Sequence, residues 1–102
     1  MVLYEVNLVV NRDIYGDFLS WLREHINEML CFEGFVKADL WTLEAEDQGS
    51  SPDAICVQYH LESRDKLNTY LNVHAPRMRK DGIRRFGGKF SATRRILNGL
   101  QV

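Results

Sequence analysis

His60, with Asp39 and Glu5, is the first group in this chain of 102 residues whose types could together do acid–base work. A histidine titrates near ~6.5, and a neighbouring carboxylate would set its charge and orient its ring as a general base. Whether the three meet depends on strand register; the competing reading is cross-strand pairing of solvated polar groups. As metal ligands the same three lack any local spacing, so no metal site is expected. The second chemical feature is basic. The stretch from His74 to Arg95 holds eight of the thirteen Lys and Arg residues and one acid, Asp81. Arg84, Arg85, Lys89, Arg94 and Arg95 could hold a carboxylate or phosphate, the arginines in bidentate fashion. Residues 1–76 carry five cations against thirteen anions, so the halves could equally neutralise each other. A polynucleotide surface using Arg77, Arg79 and Lys80 is disfavoured by the overall charge of −1 and by sparse aromatics, Phe86 and Phe90. His74 itself sits on an apolar helical stripe, where a packed histidine is the plain reading.

Positioning these groups requires elements, and the hydrophobic periods supply them. Residues 2–10 alternate, with Val2, Tyr4, Val6, Leu8 and Val10 on one face and Leu3, Glu5, Asn7 and Val9 on the other. Asn11 and Asp13 offer cap oxygens. Ile14, Phe18, Trp21, Leu22, His25, Ile26 and Met29 then repeat at helical spacing, up to about Cys31 and the Gly34 turn. Residues 35–46 alternate again, placing Phe35, Lys37, Asp39, Trp41 and Leu43 opposite Val36, Ala38, Leu40 and Thr42. Glu46–Asp53 reads as a loop. Residues 54–61 form a third strand, with Cys56, Gln58 and His60 on one face. Ser63 caps a second helix, which Pro76 should kink or restart. Gly82, Gly87 and Gly88 lead into a last strand at 89–97, where parity directs Ser91, Thr93 and Arg95 away from the helices and Arg94 to the other side.

The order is β-α-β-β-α-β, an α+β, ferredoxin-like domain over residues 1–102, with both helices on one face of a four-stranded antiparallel sheet. No apolar run approaches the roughly 18 residues of a membrane span. The start lacks a basic leader, and Cys31 and Cys56 read as buried, reduced thiols, which together suggest a cytoplasmic protein. On the uncovered face, Phe35, Trp41 and Leu43 would leave a large apolar patch. A two-fold homodimer with facing sheets would cover it and enclose a cavity.

YEVNL, FLSWLREHINEML and YLNVHAPRMRKDGIRRFGGKFSATRRIL make the sequence similar to an uncharacterised bacterial family, a domain of unknown function within the dimeric α/β-barrel superfamily. The resemblance spans nearly the whole chain and implies the fold and a homodimer, with no established activity. The wider superfamily includes haem-degrading monooxygenases, which use an Asn on the first strand, a His on the second helix and a Trp. Asn7 and His74 fall on the matching elements, but no Trp lies on the second helix. Other members are cofactor-independent monooxygenases of phenolic or quinol substrates, with which Asn7 and Trp41 are compatible. The reading that follows is a protein binding a small ligand between sheet and helices, anionic with an aromatic or other apolar body. As a monooxygenase or isomerase it would use His74 or His60 as acid–base and Asn7 to orient the substrate. Trp41, Asp39, Gln58, Arg95 and Arg94 would contact the ligand, and the cofactor is left unknown. A non-catalytic interaction module is the alternative, with haem or nucleic-acid binding behind it.

Overall fold

A computed structural model describes residues 1–44 and 53–102. β1 (Val2–Val10) leads through a single 3-10 turn into α1 (Tyr15–Met29), followed by β2 (Phe35–Thr42) and β3 (Asp53–Leu61). α2 (Arg64–Thr69), a π-helical turn (Tyr70–His74) and α3 (Ala75–Phe86) run on continuously to β4 (Phe90–Asn98). The four strands form one antiparallel sheet in the order β2-β3-β1-β4. This is the ferredoxin-like arrangement that the alternating periods imply. Residues 46–52 of the expected loop, with residues 45 and 46 of the expected second strand, lie outside the described residues; β2 itself ends at Thr42.

The core is the helix-facing side of the two central strands. Tyr4, Leu8 and Val10 of β1 and Ile55, Val57, Tyr59 and Leu61 of β3 are buried. Phe18, Leu22, Ile26 and Met29 of α1 close over them, with Leu67, Tyr70, Ala75 and Met78 from the second helical run. Each Val, Leu, Ile, Phe or Met among them contributes about 1.5–3 kcal/mol by leaving water. Ser63 caps α2 as expected, its hydroxyl accepting from the Lys66 backbone N–H at 3.3 Å.

Pro76 restarts the helix, and the backbone shows how. The Ala75 N–H reaches back five residues to the Tyr70 carbonyl, making one wide turn, and α3 begins with the proline in its first turn. A proline there costs nothing, because a first-turn N–H has no intrahelical partner. The wide turn keeps Tyr70 facing the core.

Four expectations need correction. Phe35 faces the core and Val36 faces water, because a bulge between Phe35 and Lys37 adds a residue and reverses the parity upstream of it. Neither Asn11 nor Asp13 caps α1; Asp13 instead pairs with Lys89 at 2.7 Å. Cys31 is exposed, since it falls just past the end of α1, while Cys56 is buried. The last strand runs from Phe90, because Gly87–Lys89 wind into a 3-10 turn. Gly34, with φ of 90°, joins α1 to β2 in a conformation that suits glycine, and a side chain there would strike the stem of Lys66.

Candidate functional site

Between the sheet and the helices lies a cavity of about 270 Å³, close to the lower bound of about 300 Å³ for small-molecule pockets. Strand parity builds one wall. Tyr4, Val6 and Leu8 alternate inward on β1, while Val57 and Tyr59 do so on β3. The helical stripe of α1 supplies Trp21, His25 and Met29, and Tyr70 and Met78 come from the second helical run. Gly82 leaves space where any larger residue would fill it. The exposed members Arg79, Ile83, Gly87, Ser91 and Arg94 mark the open side, along α3 and β4.

The polar groups of this cavity fall in two places. At one end the phenol rings of Tyr4, Tyr59 and Tyr70 cluster, with Tyr4 about equidistant from the other two at 6.1 and 6.0 Å between centroids. Arg79 donates from Nη2 to the Tyr4 hydroxyl at 3.0 Å. Burial pushes the Tyr70 phenol up to about 12, with Tyr4 adding to the rise, and Tyr59 is pushed up for the same reason. The phenols of Tyr59 and Tyr70 therefore stay neutral. Toward the other end, His25 stacks on Trp21 with centroids 4.7 Å apart. Burial holds its pKa below the usual histidine value, and Arg94 reinforces this against the pull of Glu28 and Asp81. His25 is thus neutral at pH 7, able to accept a proton.

The face of the sheet away from the helices carries a different assembly. Register places Gln58, Glu5 and Arg95 side by side, with Asp39 next to Gln58 on β2. Glu5 is only 3% exposed. Its two carboxylate oxygens accept from Arg95, from Gln58 Nε2 at 3.1 Å, from Asn7 Nδ2 at 3.1 Å and from the Cys56 thiol at 3.6 Å. These hydrogen bonds, Arg95 first, hold the Glu5 carboxyl down at about 2. Trp41 Nε1 donates to the Gln58 carbonyl at 3.2 Å, and His60 Nε2 lies 2.8 Å from Asp39.

The full-length pattern decides the family: a domain of unknown function, DUF4286, matches residues 1–100. The chain belongs to the DUF4286 family. Among solved structures, it is similar to a candidate antibiotic biosynthesis monooxygenase from Nitrosomonas europaea, with TM-score 0.69, 15% identity and coverage of 99% of this chain and 100% of that one. SnoaB, a cofactor-independent oxygenase from Streptomyces nogalater, matches with TM-score 0.69, 13% identity and coverage of 99% and 95%. A conserved protein from Methanosarcina mazei matches with TM-score 0.67, 14% identity and coverage of 95% and 91%. At such identities the likeness is one of fold. No curated protein sequence matches.

On this DUF4286 fold the residues singled out from sequence divide between two sides of the sheet. Asn7, Asp39, Trp41, Gln58, His60 and Arg95 share the outer face, where Asp39 and His60 meet and Glu5 belongs instead to Arg95. Arg94 lines the cavity. His74 does neither. It stacks on Phe32 at 4.3 Å, and its Nδ1 lies 3.1 Å from Arg77 Nη2. Asn7 and His74 therefore do not form a pair, because the sheet stands between them. His25, Arg79 and the tyrosines of the DUF4286 cavity were read from sequence as stripe or charge only. Their signal was a polar tip on a core-facing parity position. Among the described residues no group of His, Cys, Asp and Glu is arranged to hold a metal, and no helix is long and apolar enough to cross a membrane.

Proposed function

We propose that this DUF4286 protein is a homodimer that binds a small aromatic anion between its sheet and helices and acts on it as a monooxygenase-type enzyme. The observation that carries this reading is the aromatic-walled cavity holding a neutral His25 with Arg79 and Arg94 at its polar margin. Arginines suit a carboxylate, and the rings of Trp21, Tyr4 and Tyr59 suit a flat apolar body. The name of SnoaB, a cofactor-independent oxygenase, suggests the reaction class. In such a step His25 removes a proton from a phenolic substrate, and the electron-rich ring carbon adds O2. The resulting peroxide takes the proton back and loses water, so one oxygen atom stays in the product as a carbonyl and the other leaves as water.

The homodimer is inferred from the outer face of the sheet. Val9, Trp41 and Leu43 are exposed there around the Glu5 network, a patch that a second copy would cover. An Asn–His haem site finds no support in the positions of Asn7 and His74. A polynucleotide surface finds little, since Lys89 and Arg95 are engaged by acids of the N-terminal half.

Native mass spectrometry of protein purified from its own host tests dimer mass and retained ligand together. Titration calorimetry with naphthoate tests the cavity. The wild type is expected to bind, and Arg79→Ala to weaken binding about tenfold or more, the typical worth of a charged hydrogen bond. His25→Phe should leave naphthoate binding nearly intact while stopping oxygen uptake with a dihydroxynaphthoate. Undiminished uptake by that variant would remove His25 as the base. No naphthoate binding by the wild type would leave the interaction module standing in place of the enzyme.

A further inference from the structure

Trp21 of α1 lines two hollows. Its indole forms part of the cavity wall and also part of an outer groove of about 500 Å³, bounded by Asp17, Ser20, Glu24, Arg85 and Phe86. The indole is fixed from three sides. Its Nε1 donates to Asp81 Oδ2 at 2.9 Å, His25 stacks on it, and Phe18 lies 5.4 Å away between centroids. Asp81 is in turn steadied by Arg85, 3.7 Å away one helical turn on. The next residue, Gly82, is open to the ring: a Cβ there would stand 2.9 Å from the indole edge. The Asp81–Gly82 step of α3 thus both holds the indole and makes room for it.

We infer that Trp21 sets the length of ligand the cavity takes, with Asp81 as the positioning residue that keeps the indole in place. The inference rests on the cavity being a ligand site. The axis follows from strand register. Tyr4, which accepts from Arg79, and Leu8 line the cavity about 13 Å apart along β1 at the usual rise per residue. Just past Leu8 the register sets Phe90 level with Val10, its ring 5.0 Å from Phe18 and Phe18 in turn 5.4 Å from the indole. A ligand anchored at Arg79, by the Tyr4 end, therefore points its far end at Trp21, passing Arg94 level with Val6. Beyond the indole the groove presents two acids, Asp17 and Glu24, against one cation, Arg85. A longer ligand admitted to it would carry its negative charge at the anchored end only.

The test is calorimetry with a rigid series, naphthoate and then para-linked biphenyl and terphenyl carboxylates, on wild type, Trp21→Ala, Trp21→Leu and Asp81→Leu. Wild type should bind naphthoate and exclude the terphenyl. Trp21→Ala should lose about three- to tenfold in naphthoate affinity, the worth of a stacked ring. The same variant should gain at least about tenfold for the terphenyl as cavity and groove join. Asp81→Leu should shift the ratio of long to short ligand in the same direction by a smaller factor. A merely structural role for Asp81 would weaken both ligands alike. Trp21→Leu keeps apolar packing, so it reports the same gain should the alanine variant fold poorly. Variants that fold, bind naphthoate and still exclude the terphenyl would overturn the inference. If no protein in the set binds any carboxylate, the cavity reading falls first and takes this one with it.

Discussion

Glu5→Gln is expected to lower the stability of the fold by about 2 kcal/mol at neutral pH and to remove part of its acid sensitivity. The carboxylate sits at the centre of the sheet, almost fully buried, with donors from Gln58 and Cys56 on β3, Arg95 on β4 and Asn7 on its own strand. Its pKa is drawn from the ordinary 4.5 to about 2, first by Arg95, then by Gln58 and Asn7, against the cost of burial. A shift of this size corresponds to about 3 kcal/mol by linkage. Arg95 is 66% exposed at its side chain, so solvent screens part of that, and about 2 kcal/mol is the expected remainder. The sign is that of a depressed acid: the stabilisation is complete above pH 4.5 and is lost as pH falls through 2. Urea titrations of wild type and variant at fixed protein concentration, from pH 7 down to 2, check this. The gap between the two should close across the acid range. A gap that is small at neutral pH, or constant throughout, would mean that the charge on Glu5 does not stabilise the sheet.

The same network shows what a sequence can and cannot convey. Alternation in residues 2–10 put Glu5 and Asn7 on one face, and that parity holds across the whole strand. The parity of β4 likewise turns Arg95 toward Glu5. The pairing itself joins residues 90 positions apart, and only tertiary register brings them level. Phe35 was misplaced for a local reason, since a bulge leaves no mark on an alternating pattern. The cavity was hidden more thoroughly. His25 and Trp21 sit on a helical stripe that reads as core, and Asp81 reaches Trp21 from another helix across 60 positions. Periodicity tells which face a residue occupies. It does not tell where helix and sheet stand apart far enough to leave a hollow, because that depends on how the side chains of α1 and α3 stack on one another.

Trp41→Glu is expected to convert the proposed dimer to a monomer with little loss of fold. Trp41 is 54% exposed on the edge strand β2 and donates one hydrogen bond to Gln58. In an isolated subunit its replacement costs little, as surface changes usually do. Across a two-fold interface each substitution counts twice. A buried tryptophan is commonly worth about 2 kcal/mol or more at such a contact. Two of them weaken association by about a thousand-fold or more before the new charges are considered. The incoming carboxylates would lie on the face that already carries Asp39 and Glu5, where Glu5 already holds Arg95. Analytical ultracentrifugation of wild type and variant over a range of concentrations reads the change directly, with circular dichroism as the control for folding. A variant that stays dimeric at the wild-type affinity would place the interface elsewhere. A dimer built on this face also seals the Glu5 network from water. The stabilisation from Glu5 should then be larger in wild type than in Trp41→Glu, and a double-mutant cycle between the two positions would measure that coupling.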